Sequence, residues 1–129
     1  MEWLLLVGRV LYGGYFVMGG IMHFMKMRDM TEMTRQKGVP SPSLAVGASG
    51  ILIVLAGLGV ILGIYPDLSL LILAAFIIVV TPVMHAFWRI EDPMMSMMDM
   101  QMFMKNMALL GAALALYALS SDWPLSISL

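Results

Sequence analysis

Four long apolar stretches dominate the pattern of hydrophobic and polar positions along the chain. They cover residues 3–25, 44–65, 68–88 and 100–119, and proline or charged residues flank each of them. An apolar α-helix needs about 20 residues to cross a bilayer, so each stretch is long enough for one crossing. The pattern predicts an all-α protein, an integral membrane four-helix bundle in which residues 1–129 form a single domain.

The connections between these stretches predict how the helices follow one another. Only Pro66 and Asp67 separate the second stretch from the third, so these two helices are expected to form a tight antiparallel hairpin. Residues 26–37 alternate methionine with charge, which is typical of a short helix on the membrane surface. Asp92 before Pro93 is typical of a helix start, so the fourth helix is expected to begin before it enters the membrane.

Composition agrees with a membrane protein and excludes several classes of function. The 129-residue chain is 61% hydrophobic and 12% charged, whereas soluble domains are about a quarter charged. The seven basic residues are scattered and the formal net charge is −1, which excludes a nucleic-acid-binding surface. Without cysteine, the chain has no disulfide, thiolate nucleophile or iron–sulfur ligand. Redox chemistry would need another subunit or a bound cofactor.

The distribution of basic residues predicts the orientation in the membrane. The basic residues near the first and third connections are Lys26, Arg28, Arg35, Lys37, Arg89 and Lys105. The opposite side has only Arg9, itself within the first stretch. Because short loops rich in Lys and Arg stay in the cytoplasm, we expect these two connections to be cytoplasmic and both termini to lie outside.

Arg9 is the first candidate for chemistry. It shares one face of the first helix with Gly13, Phe16, Gly20 and His23, at spacings of three and four residues. Glycines on that face predict close contact with a neighbouring helix. An arginine within an apolar span snorkels to the surface, pairs, or lines a polar cavity. Two alternatives are open for Arg9. It either snorkels to the outer surface, or it is buried and binds an anionic group or a quinone carbonyl.

Two histidines are predicted at the same depth. His23 and His85 both lie near the cytoplasmic ends of their helices, and Pro82 predicts a kink just before His85. A shared polar pocket is predicted for His23, Lys26, His85, Trp88, Lys105 and Asn106. Such a pocket would suit a proton relay or a quinone head group. Ordinary interfacial histidines and a bis-histidine haem are the alternatives.

Methionine is the most unusual component of the chain. Most of the 16 methionines lie toward the predicted cytoplasmic end, many of them within residues 94–104. Thioethers favour Cu(I), and Met94, Met97 and Met98 are the copper candidates. Because the run points around the whole helix, we interpret it instead as an adaptable surface for lipid or a protein partner. No metal site is expected.

Several motifs resemble those of the DoxX family. They are Arg9 with the first helix ending in GIMHF at 20–24, GVP at 38–40, SGIL at 49–52, HAFW at 85–88 and FMKNMALLG at 103–111. The resemblance implies a small four-helix protein of the prokaryotic cytoplasmic (inner) membrane, sometimes associated with quinone-linked oxidation of sulfur compounds or with membrane oxidoreductase complexes. Family members often carry a glutamate where this chain has Ile53, which favours a non-catalytic role here.

Three functions are open at this point. The leading hypothesis is a DoxX-like subunit, non-catalytic or holding a quinone pocket, that associates with a larger membrane oxidoreductase complex or with copies of itself. A second is a quinone-linked enzyme in which a partner supplies the sulfur chemistry. Autonomous catalysis is disfavoured because the chain has no nucleotide or flavin motif. The third is a small transporter or copper-handling membrane protein that uses the methionine-rich end.

Overall fold

The computed structural model describes residues 2–128, and all the regular structure in that range is helical. The α-helices are α1 (Glu2–Met25), α2 (Met27–Gln36), α3 (Pro42–Leu62), α4 (Pro66–Met84) and α5 (Pro93–Ala118). Two short 3₁₀ helices, Phe87–Arg89 and Ser120–Asp122, follow α4 and α5. The predicted all-α class is therefore confirmed.

Three of the described helical segments are long and apolar enough to cross a membrane. They are Glu2–Met25, Pro42–Leu62 and Pro66–Arg89, which supports a membrane protein. The 26 residues of α5 extend over about 39 Å, but Asp99, Gln101 and Lys105 lower the hydropathy of its first half. A fourth crossing by α5 stays a prediction, and so does the orientation of the termini.

The hairpin between α3 and α4 is as tight as the sequence predicts. Gly63 and Tyr65 reverse the chain with φ angles of 70° and 44°. Gly63 adopts this left-handed conformation without the steric cost that a Cβ brings. Pro66 opens α4, where its missing N–H would have no partner within the helix.

The most extensive helix contact joins α1 to α3, along the glycine face predicted for the first helix. A Cβ atom at Gly13 would lie 2.5 Å from the carbonyl oxygen of Gly57, and one at Gly20 would lie 2.6 Å from that of Gly50. Backbones this close leave no room for larger side chains. Gly111 on α5 is different, because a Cβ there would meet nothing within 4 Å. Gly111 therefore makes no such close contact within the chain.

The core lies between α1, α3, α4 and one side of α5. Its members include Tyr12 and Phe16 of α1, Ile53, Ala56 and Val60 of α3, Leu70, Leu73 and Ile77 of α4, and Ala113 of α5. Of the residues of α5, only Asn106 and Ala113 are buried. Most of the surface of α5 therefore remains available to lipid or to another protein.

The chain after α4 departs from the predicted third span. That span was expected to run to Trp88 with a kink near Pro82, but α4 ends at Met84. The backbone N–H of His85 still donates to the Thr81 carbonyl at 2.9 Å, and a 3₁₀ helix then leads toward Pro93. The predicted kink is instead a helix end, which releases His85 from regular helix geometry.

Candidate functional site

The predicted site residues are distributed between the two ends of the bundle. We define the tail end as the α3–α4 turn, residues 60–67, together with residues 119–128. We define the α2 end as residues 23–37, which contain α2, together with residues 85–89 and the first turns of α5. Arg9 contacts the tail end, whereas His23, Lys26, His85 and Trp88 belong to the α2 end. Arg9 is therefore separate from the predicted histidine pocket.

Arg9 is fully buried and binds backbone carbonyl oxygens from two parts of the chain. Its Nε donates to Val60 O at 3.1 Å, and its Nη2 donates to Ile61 O at 2.9 Å. Its Nη1 donates to Pro124 O at 2.6 Å, and Nη2 also reaches Leu125 O at 3.3 Å. Arg9 thus points into the protein instead of snorkelling to the surface, and its partners are carbonyls of the chain itself.

These contacts explain why an arginine is tolerated here. Val60 and Ile61 belong to the last turn of α3, whose carbonyls have no partner within the helix, and a cation is favourable at a helix C-terminus. The guanidinium carbon of Arg9 lies 5.0 Å from the ring centroid of Trp123, a side chain that is itself buried. Arg9 therefore caps α3 and holds the C-terminal tail against it. A hint in the sequence is the aromatic residue Trp123, in a tail where serines alternate with apolar residues.

His23 is anchored to α3. Its Nδ1 lies 3.0 Å from Val46 O and 3.3 Å from Ser49 Oγ, and the Ser49 hydroxyl also donates to Val46 O at 3.2 Å. A carbonyl oxygen only accepts, so the contact with Val46 O places the proton on Nδ1. This geometry suits a histidine that links α1 to α3.

His85 belongs to a different contact group, centred on Asp99 of α5. The Nδ1 of His85 lies 3.3 Å from Asp99 Oδ1, and Lys37 Nζ donates to Asp99 Oδ2 at 3.2 Å. One carboxylate thereby connects the end of α2, the end of α4 and the start of α5. The sequence did not identify Asp99 or Lys37 as partners of the histidine. Because His23 binds α3 instead, a pocket shared by the two histidines stays a prediction.

Lys105 and Asn106 are neighbours in sequence but bind different helices. Lys105 Nζ donates to Tyr15 OH at 2.7 Å and lies 5.3 Å from the ring centroid of the same tyrosine. Asn106 is buried and its Nδ2 donates to Thr81 Oγ1 at 3.1 Å, and the Thr81 hydroxyl in turn donates to Ile77 O at 2.5 Å. Asn106 therefore forms a polar link between α4 and α5 inside the apolar core.

Trp88 and Lys26 lie near the surface of the α2 end. The ring of Trp88 stacks edge-on against Phe87 and Phe103, with centroid separations of 5.2 and 5.9 Å, yet 57% of the residue is exposed. Lys26 is exposed as well. Trp88 therefore belongs to an aromatic cluster that joins the 3₁₀ helix to α5.

The methionine-rich start of α5 lies on the surface. Met94, Met97 and Met98 are exposed and occur at helical spacings of three and four from Met94. Among residues 2–128, no group of three or more His, Asp or Glu side chains is placed to hold a metal ion. Copper binding by these thioethers stays a prediction that elemental analysis tests.

Two cavities, each of about 450 Å³, lie at opposite ends of the bundle. One is lined by the α3–α4 turn, the end of α5 and the C-terminal tail. The other lies along α2, where Arg28, Asp29, Thr31, Glu32 and Arg35 line it. Neither histidine lines either cavity.

The family match covers the part of the chain that forms α1 to α4. The DoxX family model matches residues 4–86, whereas no curated protein and no solved structure matches the chain. The match does not reach residues 103–111, where the resemblance extends into α5, and that extension stays an expectation. A match over more than half of the sequence, on helices apolar enough to cross a membrane, shows that this small membrane protein belongs to the DoxX family.

Proposed function

We propose that this chain is a non-catalytic membrane subunit that associates, through α5, with a larger membrane oxidoreductase complex. The observation that carries this proposal is the exposure of α5, which buries only Asn106 and Ala113 within the chain. The polar side chains of the interior are meanwhile used in contacts between the helices. We infer an oxidoreductase complex because members of the DoxX family are sometimes associated with such complexes. Purification from the native membrane tests this part of the proposal.

The interior of the bundle holds few groups that are free to react. A catalytic site needs acid, base or metal-ligating groups that reach a substrate. Arg9 donates to backbone carbonyls, and Asn106 donates to Thr81. Tyr12 OH donates to Leu109 O at 2.7 Å. Ile53 is buried in the core, at the position where a glutamate is common in the family. These groups serve helix packing, which supports a structural role.

One face of α5 has the composition of a helix-binding surface. Its residues are Met104, Ala108, Gly111 and Ala115, at spacings of four, three and four, and all of them are exposed. Small residues on a membrane helix allow another helix to approach closely. The space around Gly111 is empty within 4 Å of a Cβ position, so contacts within the chain do not account for its small size. A helix of another subunit would account for it.

The partner would supply the redox chemistry, because the chain has no cysteine. In its more specific form, the proposal is that a quinone head group binds at the α2 end and forms a hydrogen bond with His23 or His85. Since the two imidazoles bind separate elements, a quinone pocket there would need walls from the partner subunit.

Native purification tests this proposal. The tagged protein is isolated from its own membrane in mild detergent, and the accompanying proteins are identified by mass spectrometry. Its absorption spectrum and extracted quinone are measured on the same sample. We expect a larger subunit with a redox cofactor to accompany the wild type. Gly111→Leu should reduce its recovery at least tenfold, while Gly14→Leu serves as the matched control, because Gly14 also has nothing within 4 Å of a Cβ position.

The outcomes separate the hypotheses. Recovery of a 14.2 kDa chain without a protein partner, or of homo-oligomers alone, contradicts the oxidoreductase proposal. Equal loss of the partner in both glycine variants contradicts the role given to α5. Elemental analysis addresses the copper alternative. One copper per chain that is lost on replacing Met94, Met97 and Met98 by leucine would favour copper handling instead.

A further inference from the structure

The cavity at the tail end is not used by the proposed function. Its volume of about 450 Å³ lies within the usual range of small-molecule sites, about 300–1,000 Å³. Asp67, Tyr117, Ser120 and Ser121 are among the residues that line it, together with the apolar Ala118 and Ile127. The cavity is open to the surface and mainly polar, and it lies at the place where the apolar helices end.

The charged side chains around this cavity are mostly acidic. Asp67 is the charged side chain of its described lining, and the three ion pairs found in residues 2–128 do not involve it. Glu2 and Asp122 lie at the same end of the bundle. The basic residue of this end is Arg9, which is buried and donates to four carbonyl oxygens. Such surroundings favour a cation.

The helix ends at this cavity differ in charge. The C-termini of α3 and α5 each carry about half a negative charge, whereas the N-terminus of α4, which Asp67 faces from its first turn, carries about half a positive one. Arg9 and the N–H of Ile127, which donates to Leu62 O at 2.8 Å, cover the end of α3. The last turn of α5 has no basic residue. Among residues 2–128, the groups found to donate to its terminal carbonyls are the uncharged Ser120 hydroxyl and Leu119 N–H.

We infer that the tail-end cavity binds a primary ammonium group on an amphipathic or small organic molecule. The carboxylate of Asp67 accepts hydrogen bonds from the ammonium group, and the Ser120 and Ser121 hydroxyls provide further acceptors. The ring of Tyr117 offers an aromatic surface that attracts cations. The ethanolamine head group of a membrane lipid and a free alkylamine share this chemistry. Asp67 also lies in the first turn of α4, where a carboxylate stabilises the helix N-terminus, so the test has to separate binding from stability.

Lipid retention provides the first measurement. The protein is held in micelles containing equal amounts of phosphatidylethanolamine and phosphatidylglycerol, and the lipids that remain bound are counted by native mass spectrometry. We expect the wild type to retain phosphatidylethanolamine preferentially. Asp67→Asn should lower that retention about fivefold, as expected for loss of a partly exposed charge pair. Asp122→Asn makes the same change of charge at the same end but outside the cavity lining, and it should retain lipid like the wild type.

A second variant and a soluble amine complete the test. Ala118→Leu fills the cavity from an exposed position without changing any charge, and it should also abolish the preference. Ethanolamine is titrated into protein in phosphatidylglycerol micelles and followed by saturation-transfer NMR. Binding of ethanolamine without a preference between the lipids assigns the site to a soluble amine. Equal retention of both lipids by the wild type together with no ethanolamine signal overturns the inference, as do equal losses in Asp67→Asn and Asp122→Asn. None of these outcomes depends on a partner subunit.

Discussion

Replacing Arg9 by methionine probes the contact that closes the tail end of the bundle. Methionine has a similar length but no hydrogen-bond donor, so the carbonyls of Val60, Ile61, Pro124 and Leu125 all lose a partner. The tail carbonyls can turn toward water, because Leu125 is exposed and Pro124 is only partly buried. The two α3 carbonyls face the interior, where an unpaired polar group is costly.

The expected loss of stability follows from those two carbonyls. An unsatisfied buried acceptor costs about 1–3 kcal/mol, which gives about 2–6 kcal/mol for the pair. Removing a buried charge offsets part of this cost, so we expect a net loss of about 2–4 kcal/mol. Arg9→Lys keeps the charge but lacks the planar fork of donors, and it should fall between the wild type and Arg9→Met.

Two measurements check this prediction. Reversible unfolding in detergent gives the free energy of unfolding, and limited proteolysis reports whether residues 123–128 have come loose. Arg28→Met on the exposed side of α2 is the control and should stay within about 0.5 kcal/mol of the wild type. If Arg9→Met unfolds at the same denaturant concentration as the wild type, with the tail equally protected, then the hydrogen bonds of Arg9 are not what holds the tail.

Three further predictions concern α1, Asp99 and the orientation. Gly20→Leu should force α1 away from α3 and cost at least about 3 kcal/mol in the free energy of unfolding, whereas Gly8→Leu, with open space around it, should be neutral or slightly stabilising. Asp99→Asn should cost about 1 kcal/mol or less but speed hydrogen exchange where α2 ends, and unchanged exchange would contradict its linking role. In intact cells an impermeant thiol reagent should label Ser126→Cys and spare Gln36→Cys, and the reverse pattern would invert the predicted orientation.

The features that the sequence predicts well are those set by neighbouring residues. Apolar length gives the spans that become α1, α3 and α4, because crossing a bilayer demands a nearly fixed number of apolar residues. The close approach at Gly13 and Gly20 also follows from local spacing, since residues three and four apart share a helix face. In the same way, the short α3–α4 connection fixes the hairpin before any tertiary contact is considered.

The features that the sequence does not predict depend on contacts between distant residues. Arg9 binds a carbonyl 115 positions later in the chain, and nothing in its own helix indicates that partner. The matched depths of His23 and His85 were predicted from helix lengths, but their hydrogen-bond partners on α3 and α5 depend on how those helices pack. Gly111 illustrates the same difficulty, because its spacing resembles that of Gly13 while its surroundings are open.

The contact between Arg9 and the tail also constrains the order of events during biosynthesis. The residues of α1 and α3 are synthesised before Trp123 and Pro124, so Arg9 can meet the carbonyls of Val60 and Ile61 first and at that stage lacks those of the tail. Until the tail is made, one side of the guanidinium needs water or lipid head groups, since a charge in apolar surroundings is costly. Full burial of Arg9 therefore has to wait for residues 123–125.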